Sequence, residues 1–368
     1  MVKQSSFNTS YLIYFFIIIS NLGIMLSLFG FNSFRYLMYS PFLLGVIFLF
    51  KNNFILNNVG FKKKGLNTAF LLLIMNAILH FTTLSSNGVF QLIFILSSLL
   101  PVITKDNFQI NWRLFSIIYI FSFTVYLFSS GLILNPSLDA FFTSSSSNLE
   151  TNQHPFVFGI LTLFFLFKRD KLFFLLNLLF VLLSFKRIVF LAVIISIPFV
   201  LLERKNIRVL KNIRWVFMVI NILFIRLLYL FSNGYFDDMI ISITGISPGY
   251  FSMGRNTIYS LIFDYYDKFN FFQFLFGKGQ GDLYSKSLIF IGEAPHNDLL
   301  VLLLDHGVII FIVFFFLIYQ KKNLIFNIIY LNVLFLTDNV LVYAFFLFPF
   351  FLINTEINTI RKNLNLSQ

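Results

Sequence analysis

Two side chains in the second half of the chain, Arg255 and His296, have the chemistry to bind phosphate and to move a proton. Arg255 follows a glycine, and an arginine guanidinium binds phosphate oxygens through two parallel hydrogen bonds. His296 stands just before a long apolar segment, and an imidazole exchanges its proton near neutral pH, as a general base requires. Their types and spacing predict a site that combines an anion-binding arginine with a basic histidine. Structural alternatives stay open, since Arg255 could be a surface charge of a long loop and His296 an interfacial residue.

Glycines and a second histidine lie between and beyond these residues. The run Gly277–Gly281 has glycine at every second position, which predicts a tight turn. A phosphate-cradling loop is the alternative, for which such spacing alone is a weak signal. His306 lies about 15 Å further along a helix than His296. We expect it to be hydrogen-bonded between helices, with proton relay as the alternative.

The composition predicts that membrane helices position these residues. Of the 368 residues, 58% are hydrophobic and 11% are charged, and the mean hydropathy is +0.85. A soluble domain carries about 25% charged residues on its surface, so this composition suits lipid as the solvent. The chain has no cysteine, which excludes disulfides, thiolate metal sites and a cysteine nucleophile. The predicted fold is an all-α, polytopic transmembrane helical bundle.

About twelve segments are apolar enough to span, because a spanning helix needs about 20 apolar residues and fewer where neighbours cover its polar ends. The predicted spans are residues 11–31, 36–50, 66–84, 89–104, 114–134, 155–167, 172–185, 188–202, 215–231, 297–319, 324–336 and 340–353. The predicted organisation is transmembrane helices 1–9 in residues 1–231, a large outer loop in residues 232–296, and transmembrane helices 10–12 with a cytoplasmic tail in residues 297–368. Two apolar stretches of the loop, Tyr259–Phe263 and Phe269–Phe276, predict amphipathic helices on the membrane surface.

Most of the 27 lysine and arginine residues fall on the side of the predicted bundle that holds both termini. Positive charge is retained on the cytoplasmic side of membrane proteins. The prediction therefore places both termini in the cytoplasm and residues 232–296 outside. The same distribution explains the net charge of +12 without a nucleic-acid partner.

The order of these motifs resembles the superfamily of O-antigen polymerases and O-antigen ligases. The resemblance rests on Gly254-Arg255, on the Gly277–Gly281 turn, and on His296-Asn297 opening a helix that carries Asp305-His306-Gly307. Two further motifs agree with it, namely Ser184-Phe185-Lys186-Arg187 at an outer helix end and Thr337-Asp338-Asn339 before the last span. Many members have a second basic residue near the arginine of the loop, for which the candidates here are Lys268, Lys278 and Lys286.

This resemblance implies a GT-C-like enzyme of the bacterial inner membrane that polymerises undecaprenyl-pyrophosphate-linked oligosaccharide repeat units into O-antigen or a related surface polysaccharide. At the periplasmic face, His296 would take the proton of the acceptor sugar while Arg255 and Arg187 hold the diphosphate, with inversion at the anomeric carbon. The implied substrate-binding residues are Lys186, Arg226, Gly277, Gly279, Gly281, Asn297 and Asp338. No cofactor or metal is expected. The expected partners are the lipid-linked oligosaccharide, the lipid bilayer, a chain-length regulator and a flippase, with no nucleic acid.

Two other functions fit parts of the sequence. An O-antigen ligase, which transfers glycan to the lipid A core, needs the same donor and base and differs in its acceptor. A lipid-linked oligosaccharide flippase or transporter would carry charged residues at the membrane midplane, and Arg226 is the main residue in its favour. Arg226 would pair with Asp305, with Asp338 or with a lipid phosphate. The alternative is an arginine that snorkels to the outer boundary.

The remaining polar candidates receive structural interpretations. His80 and His154 are predicted to make contacts at helix ends. The acidic residues at 237–238 and 264–267 are interpreted as solvated loop residues and not as magnesium ligands.

Overall fold

The computed structural model describes residues 9–29, 31–41, 43, 65–80, 85–103, 110–129, 153–205, 213–252, 254–291, 295–320 and 324–363. Within these ranges all regular structure is helical and no strand is present. The prediction of an all-α chain is confirmed for this part of the sequence.

Sixteen α-helices and two 3-10 helices make up the regular structure of the described ranges. The α-helices are α1 (Thr9–Leu28), α2 (Gly65–Leu79), α3 (Ser86–Ile103), α4 (Trp112–Ser129), α5 (His154–Lys168), α6 (Lys171–Leu183), α7 (Arg187–Arg204), α8 (Ile213–Ser232), α9 (Asp237–Thr244), α10 (Pro248–Phe251), α11 (Arg255–Tyr266), α12 (Phe271–Phe276), α13 (Asp282–Ile291), α14 (Asp298–Ile318), α15 (Ile325–Phe335) and α16 (Ala344–Asn363). The 3-10 helices are Asn32–Tyr39 and Val340–Val342.

Three helices of the described chain are long and apolar enough to cross a membrane. They are α4, α8 over Trp215–Ser232, and α14. A helix satisfies its backbone hydrogen bonds internally, which is what a lipid environment demands of a spanning segment. Shorter apolar helices occur over Tyr11–Ser27, Thr68–Leu79, Ser86–Leu96, His154–Lys168, Lys171–Leu183, Ile325–Phe335 and Ala344–Ile360. The fold is compatible with the membrane protein that the composition predicts.

The second predicted span, residues 36–50, overlaps the 3-10 helix Asn32–Tyr39, and residues 42 and 44–50 lie outside the described ranges. Two serine hydroxyls attach this part of the chain to α1. Ser20 Oγ donates to the carbonyl of Met38 (3.0 Å), and Ser40 Oγ donates to the carbonyl of Phe16 (3.0 Å). These bonds hold the 3-10 segment against α1.

The last predicted span, residues 340–353, starts later in the structure. Val340–Val342 forms a 3-10 turn in which the backbone N–H of Leu341 donates to Asp298 Oδ2 (2.9 Å). Helix α16 begins at Ala344 and continues through Pro349 to residue 363. A side chain distant in the sequence thus binds the short turn that precedes α16.

The chain folds into two compact units, each built from separate stretches of sequence. The first unit contains Met1–Lys62, Phe94–Asn206 and Tyr343–Gln368, and the second contains Lys63–Ile93 and Ile207–Val342. Residues 232–296, which the sequence separates as a loop, belong to the second unit together with α2, α8, α14 and α15.

The core of the second unit attaches the loop helices to α14. Its buried members are Ile258, Tyr259, Ile262 and Phe263 of α11, Leu283 of α13, and Leu300, Val301 and Leu304 of α14. The α11 members recur at helical spacing and form one apolar face. Fully burying a side chain of this size stabilises by about 1.5–3 kcal/mol. The predicted helices at 259–263 and 269–276 are confirmed as helical in α11 and, from Phe271, in α12.

In the first unit, the predicted helix-end contact of His154 is confirmed. His154 is the first residue of α5 and is fully buried. Its Nε2 lies 3.0 Å from Asn21 Oδ1 and 3.1 Å from Ser122 Oγ. The imidazole therefore joins α5 to α1 and α4 through hydrogen bonds inside an otherwise aromatic core.

Candidate functional site

Arg255 is the first residue of α11, and Gly254 makes that position possible. Gly254 has a φ of +80°, a left-handed conformation that glycine adopts without strain. Its N–H donates to the carbonyl of Gly249 (2.8 Å), so the chain reverses and turns directly into the helix. Arg255 is partly exposed and lies one turn before Tyr259, on the same side of α11.

Tyr259 connects Arg255 to two residues far along the chain. Its side chain is 4% exposed. Burial raises the pKa of its hydroxyl, the charge of Arg255 and a hydrogen bond with Asn297 lower that pKa, and the charge of Asp338 raises it. The bond with Asn297, and the packing of Tyr259 with Leu300 and Val301, put its side chain beside the start of α14. Sequence analysis missed Tyr259, for which the available signal was its place four residues after Arg255.

His296 adopts a conformation that few residues other than glycine adopt. Its φ is +46°, and it is partly exposed between the buried Pro295 and Asn297. Asn297 caps α14 with its Oδ1, which accepts the N–H of Leu300 (3.0 Å), while its Nδ2 donates to the carbonyl of Leu336 (2.7 Å). Backbone strain of this kind costs on the order of 1–3 kcal/mol and persists where the surroundings impose it. The bonds of Asn297 therefore hold the backbone of His296 in place.

The Asp338-Asn339 motif is bound directly to the start of α14. The N–H of Asn297 donates to Asn339 Oδ1 (3.2 Å), and the N–H of Asp298 donates to the carbonyl of Asp338 (3.2 Å). Asp338 is 6% exposed, and its Oδ1 accepts the N–H of Asn339 (2.9 Å). Two motifs from separate parts of the sequence, 296–298 and 338–339, thus form one hydrogen-bonded assembly beside Tyr259.

The turn Gly277–Gly281 directs its backbone N–H groups at α14. The N–H of Gly279 donates to the carbonyl of Asp305 (2.8 Å), and that of Gly281 donates to Asp305 Oδ2 (2.7 Å). The other carboxylate oxygen of Asp305 accepts the N–H of Leu283 (2.9 Å). The turn that the glycine spacing predicts is present. Because these N–H groups are bonded within the protein, the turn attaches the loop to α14, and no open ring of donors faces outward.

His306 has the structural role that the sequence predicts. It is 1% exposed, and its Nδ1 accepts a hydrogen bond from Asn76 Nδ2 (2.9 Å). Its Nε2 lies 2.8 Å from Gln280 Oε1, whose Nε2 in turn donates to Gln91 Oε1 (2.6 Å). An amide nitrogen only donates, so the proton of the imidazole is on Nε2. The chain of bonds ties α2, α3 and the glycine turn to α14.

A cavity of about 640 Å³, with polar and apolar side chains in its lining, lies in the second unit beside the glycine turn. Two lysines, Lys278 and Lys286, line it together with Asn270, Gln273 and Phe272. The side-chain oxygens of Asn270 and Gln273 each accept the backbone N–H of the other residue (2.9 and 3.1 Å). Their NH₂ groups are therefore the ends that remain for a ligand in this cavity.

One wall of this cavity carries a hydrogen-bonded chain of three ionisable groups. Lys278 Nζ donates to the hydroxyl of Tyr265 (2.9 Å), which donates to Asp282 Oδ2 (2.6 Å). Lys278 Nζ also lies 4.1 Å from the ring centre of Tyr265 and 4.6 Å from that of Phe269. Burial raises the pKa of Tyr265, and the bond and charge of Asp282 raise it further. Burial lowers the pKa of Lys278, which Asp282 partly counteracts.

His80 borders the same cavity and makes its predicted helix-end contact. It follows the last residue of α2, and its Nε2 donates to the carbonyl of Phe276 (3.1 Å). The bond joins the end of α2 to the end of α12, so the sequence-based interpretation of His80 is confirmed.

Arg226 is exposed on α8, where its guanidinium carbon lies 5.0 Å from the ring centre of Tyr229. In the part of the chain that the structure describes, it forms no ion pair with Asp305 or Asp338. The carboxylate of Asp305 accepts backbone N–H groups of the glycine turn instead.

Lys186 and Arg187 belong to the first unit and form the turn between α6 and α7. Phe185 has a φ of +54°, and the hydroxyl of Ser184 donates to the carbonyl of Val181 (2.6 Å). Arg187 is the first residue of α7, and Lys186 precedes it with its Nζ 4.5 Å from the ring centre of Phe156. The motif thus places two adjacent cations at a helix start.

No family model matches the sequence, and no curated protein and no solved structure gives a significant match to the chain.

Proposed function

We propose that the chain is a membrane glycosyltransferase that polymerises undecaprenyl-pyrophosphate-linked oligosaccharide repeat units into O-antigen or a related surface polysaccharide. In this proposal a GT-C-like bundle of about twelve spans lies in the bacterial inner membrane. Both termini face the cytoplasm, and residues 232–296 face the periplasm. The lipid-linked oligosaccharide is the substrate, and a chain-length regulator and a flippase are the expected partners.

The packing of α11 on the start of α14, and the bonds from that start to Asp338-Asn339, are the observation that carries the proposal. Arg255 begins α11, whose Tyr259 packs with Leu300 and Val301 of α14. The backbone of Asn297 and Asp298 is hydrogen-bonded to Asn339 and Asp338. A phosphate-binding cation and a strained, partly exposed histidine therefore belong to one region of the second unit. Strained backbone and convergent polar groups are characteristic of functional sites.

The proposed reaction needs a base for the acceptor and a cation for the leaving group. The acceptor hydroxyl oxygen forms a bond to the anomeric carbon of the donor sugar while the bond from that carbon to the pyrophosphate oxygen breaks. The hydroxyl proton passes to His296, and the electron pair of the broken bond stays on the pyrophosphate, which Arg255 binds. Attack opposite the leaving group inverts the anomeric carbon. Arg187 stays a sequence-based prediction for a second phosphate-binding cation.

The cavity of about 640 Å³ supports a substrate rich in hydroxyl groups. Its volume falls within the usual range for ligand pockets, about 300–1,000 Å³. It offers amide and ammonium donors, the carboxylate of Asp282 as an acceptor, and the ring of Phe272, which is 72% exposed. Sugars combine donor and acceptor hydroxyls with an apolar ring face, so this mixture suits them.

The positions of the buried polar residues of α14 favour an enzyme over a transporter. A transporter uses polar groups inside its spans as a pathway, whereas Asp305 and His306 are hydrogen-bonded to the glycine turn and to α2. Arg226 is exposed and contacts Tyr229. Asp305 and His306 therefore attach the glycine turn to α14.

Complementation of a strain that lacks its polymerase but makes the matching repeat unit tests the proposal. The wild-type chain is expected to restore a ladder of long glycans on a gel. Arg255→Gln should abolish the ladder by removing the phosphate-binding charge, and His296→Ala should abolish it by removing the base. Arg187→Gln tests the second predicted cation. Asp264→Asn, which removes an exposed charge from the same helix as Arg255, is the matched control and should keep the ladder.

Protein levels in the membrane are measured for every variant, so that loss of activity is separated from loss of protein. Single capped repeats from well-expressed wild-type protein would reject polymerisation and point to ligation or transport. A full ladder from His296→Ala would reject His296 as the base. Equal loss in Arg255→Gln and Asp264→Asn would show that the loss does not depend on a phosphate-binding charge at Arg255.

A further inference from the structure

A separate cavity of about 440 Å³ lies in the first unit, and its lining contains none of the residues that the proposed function uses. It is formed where the N-terminal end of α4 meets the turn between α5 and α6. Its polar lining contains Trp112, Arg113, Lys168, Arg169 and Asp170. Three basic residues thus face one acid, which gives the cavity a positive character.

The single acid of this lining already has partners. Asp170 Oδ2 accepts a hydrogen bond from Arg113 Nε (2.8 Å), and its Oδ1 accepts the N–H of Phe173 at the start of α6 (3.4 Å). Lys168 Nζ lies 3.5 Å from Glu356 Oε1. Arg169 belongs to no ion pair within the described ranges. Its charge is therefore the one that these contacts leave for an anion.

The indole nitrogen of Trp112 provides an independent indication of a ligand. Trp112 is 4% exposed, and its buried Nε1–H has no acceptor among the residues that the structure describes. An indole N–H can only donate, and a buried donor without an acceptor is destabilising. Basic residues at helix ends are common on the cytoplasmic side of membrane proteins, and that rule accounts for the charges. It does not account for the indole.

We propose that this cavity binds a phosphate group, with Arg169 pairing with its oxygens and the Nε1–H of Trp112 donating to one of them. Phosphate carries several strong acceptors in one small group, which matches a lining of cations and one N–H donor. Inorganic phosphate and the headgroup of an anionic phospholipid share this chemistry. The orientation predicted from the sequence puts the cavity on the cytoplasmic side, where both are present.

The two tryptophans of the chain make the site directly measurable. Trp215→Phe leaves Trp112 as the only tryptophan, so emission excited beyond the tyrosine absorption band reports on the cavity. The full-length variant in detergent is titrated with inorganic phosphate, with sodium chloride at equal ionic strength as the control. The same protein is reconstituted in phosphatidylcholine nanodiscs that contain increasing fractions of phosphatidylglycerol. A saturable change with inorganic phosphate identifies the free anion, and a change with phosphatidylglycerol alone identifies the lipid headgroup.

Two variants separate this site from general charge effects. Arg169→Gln removes a lining cation and should weaken the apparent affinity by about tenfold or more. Lys171→Gln removes an exposed charge two residues away that does not line the cavity, and it should bind like the parent. Trp112→Phe keeps the aromatic ring, removes the donor, and should lose the thermal stabilisation that the bound probe produces.

The proposal is overturned if folded Trp215→Phe protein responds to neither probe beyond the salt control. Equal weakening by Arg169→Gln and Lys171→Gln would also overturn it, because the effect would then belong to surface charge. Full ligand-induced stabilisation of Trp112→Phe would reject the role of the indole. Folding of each variant is checked by circular dichroism and size-exclusion chromatography. Neither the fluorescence titration nor the thermal stabilisation depends on the proposed glycosyltransferase activity.

Discussion

Gly277→Ala puts a methyl group where the backbone of α14 already lies. A Cβ at position 277 would be 2.5 Å from the backbone nitrogen of His306 and closer still to the carbonyl group of Asp305. Gly277 also has a φ of +80°, which costs alanine about 1–2 kcal/mol. Displacing packed backbone adds about 1–3 kcal/mol. The expected loss of folding free energy is therefore about 2–5 kcal/mol.

Gly254→Ala is the matched comparison, because Gly254 has the same φ of +80° but no atom within 4 Å of the added methyl group. Only the conformational cost of about 1–2 kcal/mol applies there. Thermal unfolding of both variants in detergent, followed by intrinsic fluorescence, measures the difference. For a unit of this size, each kcal/mol corresponds to about 2–4 °C in Tm. Gly277→Ala is thus expected to melt several degrees below Gly254→Ala.

Equal losses in the two glycine variants would refute the close approach of the glycine turn to α14. The conformational penalty alone would then explain both results. A Gly277→Ala protein that keeps the parental Tm would contradict both the packing and the positive φ.

Two further perturbations test the second unit. Burial and the Asp282 carboxylate raise the pKa of Tyr265 above 10.0, so the stability from its neutral hydroxyl is complete below pH 10 and is lost as the pH rises through the raised value. Asp282→Asn should move the phenolate absorbance transition of Tyr265 to lower pH. That transition is isolated by subtracting the titration of Tyr265→Phe, and an unchanged midpoint would contradict the hydrogen bond from Tyr265 to Asp282. Asn297→Ala should cost about 2–4 kcal/mol in thermal or denaturant unfolding, because it removes a helix cap and leaves the carbonyl of Leu336 unpaired. Asn270→Ala, which removes an exposed cap from the six-residue α12, should cost about 1 kcal/mol, and equal losses would argue against the bond to Leu336.

Local sequence signals were sufficient for most helices of the described ranges. The predicted span 297–319 corresponds to α14, Asp298–Ile318, because Pro295 and the capping Asn297 mark its start in the sequence itself. The start of the last predicted span differs from the structure. Residues 340–342 form a 3-10 turn, and the N–H of Leu341 donates to Asp298, a contact that no local pattern encodes.

The candidate site divides in the same way. The motifs at Arg255, His296 and Asp338 could be identified from residue types, since arginine, histidine and aspartate have distinct chemistry wherever they occur. Tyr259 could not, because its role depends on lying near all three segments after folding. The glycine turn was predicted, but its attachment to the Asp305 carboxylate was not.

The sequence by itself determined the helical class, the composition suited to lipid, the turn at Gly277–Gly281 and the interhelical bonding of His306. Each of these follows from local chemistry, because apolar periodicity, backbone freedom and side-chain polarity act between near neighbours. Only the tertiary structure decided which groups meet: Tyr259 with Asn297, His306 with Asn76, and Trp112 with the basic turn at Arg169. Packing of helices that are distant in the sequence creates these contacts, and a linear pattern carries no record of which faces will adjoin.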